Sequence, residues 1–180
     1  MMNVFMENIN DVISNLKNDD GLFLVFNAFE DYCNDLILTK TGLSMKGVDG
    51  APDWYGYERI IWELGFQYIE PILKIKKFRG KNSLLDGMLS LCLEKKYGKG
   101  RQSLVTLIGK YGAIDYASSL AYLIDDPDVS IQVIGALTQM KDLSQFGKIK
   151  KISEKKKATP ERYYARKYMK KLSNKKPNEK

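Results

Sequence analysis

The chain has 180 residues and a formal net charge of +7, with no histidine and two cysteines. This length is enough to bury a hydrophobic core and favours one domain over two. Because histidine is absent and Cys33 and Cys92 lie far apart in apolar stretches, the sequence excludes a zinc cluster and a Cys–His nucleophile. We therefore expect both thiols in the core and no metal or cofactor.

The charges are separated along the chain. Residues 1–75 contain 5 basic and 12 acidic side chains, and residues 76–180 contain 24 basic and 10 acidic ones, so their net charges are −7 and +14. An asymmetry of this size can steer association with a charged partner, although it does not determine the fold. The start of the chain has no basic region and no long apolar run, which predicts a cytoplasmic protein without a membrane anchor.

Apolar spacing predicts two helices at the start of the chain. Residues at three- and four-residue intervals predict helices over 4–16 and 22–41. A strand over residues 22–26 is rejected because the helical spacing continues for three further turns. Phe23 and Leu24 widen the apolar face of the second helix, which predicts that this helix is buried on more than one side.

A glycine-rich segment follows the second helix. Residues 42–53 hold three glycines and a proline without periodicity, and we predict a long loop of the kind that often carries function. Asp53 is expected to cap a third helix, which Pro71 either bends or ends by starting a new turn.

The rest of the chain is predicted to form three helix pairs. Asp126-Pro127-Asp128 and Thr159-Pro160-Glu161 both place a capping oxygen before a proline, a pattern typical of a helix start. Ser83 is the expected cap of the first pair. The predicted pairs are 84–96 with 101–111, 114–124 with 127–140, and 144–156 with 160–172.

One of these segments resembles a known repeat. Asp-Pro-Asp-Val-Ser-Ile-Gln-Val-Ile-Gly-Ala-Leu at 126–137 resembles the turn and second helix of a HEAT repeat, and residues 159–172 are similar but degenerate. The resemblance implies an all-α fold, a short α-solenoid of antiparallel helical hairpins over residues 82–173. A helical N-terminal region over residues 1–81 would complete a single domain over residues 1–173, and residues 174–180 are predicted to be a disordered basic tail.

A second resemblance rests on general character. A short HEAT-like chain with a lysine-rich end and no enzyme motif is similar to bacterial immunity proteins, which neutralise the toxins of neighbouring cells. This resemblance implies a non-enzymatic inhibitor of a toxin. The net charge of −7 over residues 1–75 favours a basic toxin domain as the partner, and we expect the free chain to be a monomer.

Acidic and aromatic residues near 30–58 are the candidate partner-binding surface. Aromatic side chains anchor protein interfaces, and carboxylates pair with lysine or arginine. The alternatives are that Trp54 and Tyr57 face the core while the acids cap a helix, and that the carboxylates near residue 30 form a solvated face. The candidate residues are Glu30, Asp31, Asp35, Asp49, Asp53, Trp54, Tyr55 and Glu58.

The basic C-terminal segment supports a different hypothesis. Residues 141–180 contain 15 lysines and arginines against 4 acids. A stripe at four-residue spacing could follow nucleic-acid phosphates, and Tyr163, Tyr164 and Tyr168 could stack on unpaired bases. The alternatives are the polar outer face of a terminal repeat and the favourable placement of lysines near a helix C-terminus. A third possible function of the chain is a structural adaptor that uses the groove of the stack. The candidate nucleic-acid residues are Arg162, Tyr163, Arg166 and Lys170.

A known family combines HEAT-like repeats with nucleic-acid binding. If this chain binds nucleic acid, it resembles the DNA-alkylation-repair glycosylases, which are built on such repeats. The catalytic aspartate and the tryptophan of those enzymes have no matching positions here, so we expect no enzymatic activity.

Overall fold

The computed structural model describes residues 16, 18–42, 44 and 54–172. Within these residues the chain is helical and forms no β-strand, which confirms the predicted all-α class. Three predicted features lie outside the described residues: the first helix apart from Leu16, most of the 42–53 loop, and the 174–180 tail. Along the described part of the chain, no helix combines the length and apolar character that crossing a bilayer requires.

The described residues fall into two compact units, divided between Leu104 and Val105. The N-terminal unit contains α1 (Asp19–Leu38), α2 (Gly56–Leu64), a π-helical turn (Gly65–Ile69), α3 (Glu70–Lys74), α4 (Ser83–Leu93) and 3-10 turns at Lys76–Phe78 and Lys95–Gly100. The division lies within α5 (Arg101–Tyr111). The C-terminal unit continues with α6 (Tyr116–Ala121), a 3-10 turn (Tyr122–Asp125), α7 (Ser130–Met140), α8 (Phe146–Glu154) and α9 (Pro160–Leu172). The predicted single domain stays a prediction.

Helix α1 is the longest element of the N-terminal unit. It begins after Asn18, whose side chain accepts a hydrogen bond from the backbone N–H of Gly21. One face packs against α4, where the ring of Phe26 lies so close to Gly87 that a Cβ there would come within 2.5 Å of the ring. The helix is confirmed and the rejected strand is absent. Its buried residues are Leu22, Val25, Phe26, Phe29, Cys33 and Leu36.

The predicted third helix continues past Pro71 through a widened turn. A proline has no N–H to donate, so the regular hydrogen-bond ladder cannot pass through it unchanged. The backbone N–H of Glu70 donates to the carbonyl of Gly65, a longer reach than in an α-helix. Gly65 also permits a close approach, since a Cβ there would lie 2.3 Å from Oγ of Ser103.

The two helix-start signatures give different structures. At the second, Oγ1 of Thr159 accepts a hydrogen bond of 3.2 Å from the backbone N–H of Arg162, and α9 begins at the next residue, as predicted. At the first, Oδ1 of Asp126 accepts a bond of 3.1 Å from the N–H of Asp128 and closes a tight turn. The predicted start at residue 127 is therefore wrong, and α7 begins at Ser130.

The other helices of the predicted pairs exist with adjusted ends. Asn82 rather than Ser83 caps α4, because its Oδ1 accepts a 2.9 Å bond from the N–H of Leu85. The predicted helix over 84–96 stops at Leu93 and is followed by a 3-10 turn. The predicted 114–124 and 144–156 helices are likewise shorter as α-helices, while 101–111 has the bounds that the sequence predicts.

Tyr168 anchors α9 within the C-terminal unit. Its side chain is fully buried, and its hydroxyl donates a hydrogen bond of 2.7 Å to the backbone carbonyl of Asp142. Burial, with a smaller contribution from the Asp142 charge, raises the pKa of Tyr168 to about 12. The folded state therefore favours the protonated phenol more strongly than the unfolded state does.

We predict a loss of stability at high pH that depends on Tyr168. Because the pKa is raised in the folded state, the contribution of the protonated phenol is complete below about pH 10 and is lost as the pH rises toward about 12. The advantage of the wild-type chain over Tyr168→Phe in the free energy of unfolding should shrink by about 2 kcal/mol across this interval. Urea unfolding of both chains as a function of pH measures this, and parallel pH profiles would contradict the assignment.

Candidate functional site

Helix α1 has an exposed face opposite its buried one. Leu24 and Leu38 are 67% and 80% exposed, and they lie at the two ends of this face, about 21 Å apart along the helix at 1.5 Å per residue. Two carboxylates lie between them. We call this face the α1 stripe, and it consists of Leu24, Ala28, Asp31, Asp35 and Leu38.

The carboxylates of the α1 stripe face solvent. Asp31 and Asp35 are four residues apart on α1 and both are exposed, so they share one face as the spacing predicts, while Glu30 beside them is half-buried. Within the described part of the chain, none of these three side chains makes an ion pair. The carboxylates of Asp31 and Asp35 therefore lie in solvent, where an external cation can reach them.

The exposed apolar residues of α1 correct one prediction. Phe23 is 52% exposed and Leu24 is 67% exposed, so α1 is not buried on more than one side as their apolar character predicted. The sequence does contain a signal for the exposure of Leu24. At helical spacing Leu24 lies on the same face as Asp31 and Asp35 rather than on the face of the buried residues.

An aromatic pair lies at the start of α2. Tyr55 is 41% exposed, and its ring stacks on that of Tyr57 with a centroid distance of 5.7 Å and an interplanar angle of 9°. Trp54 is half-buried, with its ring edge-on to Trp62 at 5.8 Å. Tyr55 is thus the most exposed of the predicted aromatic residues. The predicted site residues Asp49 and Asp53 lie outside the described residues.

A cavity of about 520 Å³ joins the end of α1 to the start of α2. Its volume is within the range typical of ligand-binding pockets. Ile37, which is next to Leu38 at the end of the α1 stripe, lines the cavity. The stacked pair Tyr55 and Tyr57, called the tyrosine pair below, also lines it. The described lining residues are Ile37, Lys40, Gly42, Ser44, Tyr55, Gly56 and Tyr57.

Glu58 is buried and binds backbone N–H groups of the chain itself, so its side chain does not face a partner. Its side chain is only 6% exposed. One carboxylate oxygen accepts a hydrogen bond of 2.6 Å from the backbone N–H of Tyr55, and the other accepts one of 3.0 Å from the N–H of Lys99. The prediction that Glu58 binds a partner is thereby corrected. It caps α2 from the third helical position, where glutamate is a common capping residue.

The basic candidates of α9 are partly engaged with the protein itself. Nε of Arg162 and Nε of Arg166 lie 3.5 Å and 3.3 Å from the carbonyl oxygen of Ser153, near the end of α8. Cations are favourable at a helix C-terminus because its carbonyl groups carry partial negative charge. Lys170 is exposed and Tyr163 is 65% exposed. The predicted base-stacking role of Tyr168 is wrong, because its ring is buried.

The cysteines and acids form no metal site in the part of the chain that the structure describes, where no group of three or more suitable side chains comes together. Cys33 and Cys92 are both free and buried, as predicted, and burial raises the pKa of each thiol. Burial therefore disfavours the thiolate, which is the reactive form of a cysteine. No protein-family model, curated protein or solved structure matches the chain.

Proposed function

We propose that this chain is a non-enzymatic inhibitor that binds a basic protein. Specifically, it would act as an immunity protein that neutralises a bacterial toxin by covering the toxin's active or substrate-binding face. The α1 stripe carries the proposal, since it combines exposed leucines at its ends with carboxylates at its centre. A partner face with central lysines or arginines and apolar flanks would complement both features.

The tyrosine pair supplies a second contact in this proposal. Tyr55 and Tyr57 border the cavity at the Leu38 end of the α1 stripe, so a partner lying along α1 would reach them. Tyrosines bury a large area at low cost in side-chain entropy, and they are enriched among the residues that dominate binding energy. A side chain of the partner would fill the cavity and fix the position of the complex.

The charge of the N-terminal segment supports rapid association. Residues 1–75 carry a net charge of −7. Proteins that act on nucleic acids present cationic faces to their substrates, and an acidic inhibitor is attracted to such a face over a distance. The association rate should therefore fall as salt is added, because salt screens this attraction.

We also propose that α6 to α9 are two stacked hairpins of the HEAT type. Helices α6 and α7 are consecutive and pack together, as do α8 and α9, and α7 also packs against α9. This packing of neighbouring helix pairs supports the implied repeat architecture. In this proposal the C-terminal hairpins have no part in binding the basic protein.

Charge reversal on α1 tests the proposed function. The tagged wild-type chain and the double variant Asp31→Lys/Asp35→Lys are used to capture proteins from the cells that produce the chain, and retained proteins are identified and purified. We expect the wild type to retain a basic protein whose toxicity it neutralises. The variant should bind that protein about 100-fold more weakly or worse, because close interfacial charge pairs contribute about 1.5–7 kcal/mol.

The matched control reverses two exposed acids elsewhere. Asp115→Lys/Glu154→Lys makes the same change in net charge in the C-terminal unit. This control should retain the partner with nearly the wild-type affinity. The proposal is contradicted if the wild type retains no basic protein beyond what the α1 variant retains, or if both double variants lose binding equally.

A further inference from the structure

Helix α9 exposes two neighbouring tyrosines. Tyr163 is 65% exposed and Tyr164 is 37% exposed, and their rings meet edge to face at 5.5 Å and 84°. Large aromatic rings are costly to leave in water, and an adjacent exposed pair is more unusual than a single exposed ring. The pair offers flat apolar surfaces on a helix that is otherwise strongly charged.

A groove of about 300 Å³ begins at Tyr164 and runs across α7. It is lined by residues of α7, by Tyr164 and Lys167 of α9, and by Thr106 of α5. None of the described residues that line the groove is acidic. They are Thr106, Ile131, Gln132, Gly135, Ala136, Gln139, Tyr164 and Lys167.

Gly135 keeps this groove open although the fold does not require a glycine there. It lies in the middle of α7, where glycine is less favourable than alanine by roughly 1 kcal/mol. A Cβ at this position would meet no atom within 4 Å, and the φ angle of Gly135 is not in the left-handed region. Gln132 and Gln139 lie on either side of it along α7, so amide groups flank an open floor.

The charged residues of the two helices that line most of the groove are mostly basic. Helix α7 contains no charged residue, and α9 contains five basic residues and one acid. That acid, Glu161, accepts a hydrogen bond from Oγ of Ser130 and does not line the groove. Among the described residues, Lys167 and Lys170 make no ion pair.

We propose that the groove and the exposed pair Tyr163 and Tyr164 bind a short stretch of single-stranded nucleic acid. One base stacks on the face of one of the exposed tyrosine rings, and a neighbouring base lies over Gly135, where the amide of Gln139 hydrogen-bonds its edge. Lys167 and Lys170 contact the adjoining phosphates. This function is separate from the inhibition proposed for the N-terminal unit.

Two observations favour a single strand over other polyanions. A tyrosine ring can stack only on a base that is not already covered by its neighbours, and aromatic side chains on which bases stack, next to cations, are the usual means of holding single strands. A groove of this volume accepts a base but not a duplex. An acidic peptide could satisfy the lysines, but it would leave the tyrosine faces without a planar partner.

Fluorescence anisotropy with the full chain tests this proposal. The probes are an oligothymidine of about 12 nucleotides, a duplex of equal length and an oligoglutamate peptide, in about 100 mM salt. We expect the single strand to bind at least tenfold more tightly than either of the others. Tyr163→Ala/Tyr164→Ala should weaken it about tenfold, since stacking contributes about 1–3 kcal/mol per base. Lys167→Ala/Lys170→Ala should also reduce the dependence of affinity on salt.

Blocking the groove provides the sharpest comparison. Gly135→Trp should weaken single-strand binding at least tenfold, whereas Gly147→Trp should change it less than twofold. Gly147 is also in open space on a helix of the same unit. Tyr122 is 86% exposed and does not line the groove, so Tyr122→Ala is the control for the Tyr163→Ala/Tyr164→Ala variant. The proposal is overturned if the single strand does not bind, if oligoglutamate or the duplex binds as tightly, or if neither Tyr163→Ala/Tyr164→Ala nor Gly135→Trp weakens binding.

Discussion

Replacing Glu58 with alanine is expected to lower the free energy of unfolding by about 3 kcal/mol, because hydrogen bonds to a buried charged group contribute about 1.5–3 kcal/mol each. The carboxylate links the start of α2 to the 3-10 turn at Lys95–Gly100 through the N–H groups of Tyr55 and Lys99. Gly98 makes room for it, since a Cβ at that residue would lie only 1.8 Å from Oε1 of Glu58. Removing the carboxylate leaves both N–H groups without this acceptor.

Urea unfolding of three variants measures this effect. Glu58→Gln should lose less stability than Glu58→Ala, because the amide keeps one acceptor oxygen while its nitrogen opposes an N–H donor. Glu63→Ala is the control on the same helix: its carboxylate forms a surface ion pair with Arg59, and such pairs contribute about 0–1 kcal/mol. Equal destabilisation by Glu58→Ala and Glu63→Ala would show that the buried carboxylate does not hold α2 in place.

A leucine at Gly109 is expected to destabilise the C-terminal unit by about 3 kcal/mol or more. A Cβ there would lie 2.5 Å from both Cα and Cβ of Ala136 on α7, and backbone atoms cannot move aside as a flexible side chain can. Overpacking of a well-filled core typically costs about 1–3 kcal/mol, and a clash with the backbone is at the upper end or beyond. Gly109 therefore permits the close packing of α5 against α7.

Gly135→Ala is the matched comparison, because Gly135 also lies in a helix but faces open space. Alanine there should raise the free energy of unfolding by roughly 0.5–1 kcal/mol through its higher helix propensity. Thermal unfolding followed by circular dichroism compares the two variants. The assigned packing of α7 is incorrect if Gly109→Leu unfolds at the same temperature as the wild type, or if Gly135→Ala is less stable than Gly109→Leu.

The sequence predicts the helices well where burial repeats at helical spacing. Helices α1 and α9 follow from their apolar positions, since each buries one continuous face, while α5 is buried on nearly all sides. The ends are harder to predict, because adjacent residues can compete for one cap. Asn82 and Ser83 are both good capping residues, and only the bond from the N–H of Leu85 shows which of them is used. The Asp126 side chain likewise closes a turn where a helix start was predicted.

The candidate site is less predictable because apolar character does not reveal exposure. Leu24 and Phe23 satisfy the pattern of a buried helix, yet both are exposed beside carboxylates. Asp31 and Asp35 could be placed on one face from their spacing, because an α-helix fixes it. The role of Glu58 depends on Lys99, a residue far along the chain, so that contact could not be inferred from local sequence.

Site-specific photocrosslinking tests the proposed binding face most directly. A crosslinking amino acid is placed at Leu38 in one chain and at Tyr122 in another, since these residues are similarly exposed, at 80% and 86%. Each chain is mixed with the basic protein that the wild type captures. We predict that position 38 crosslinks to the partner and that position 122 does not. Crosslinking from position 122 with none from position 38 would contradict the assignment of the α1 stripe as the binding face.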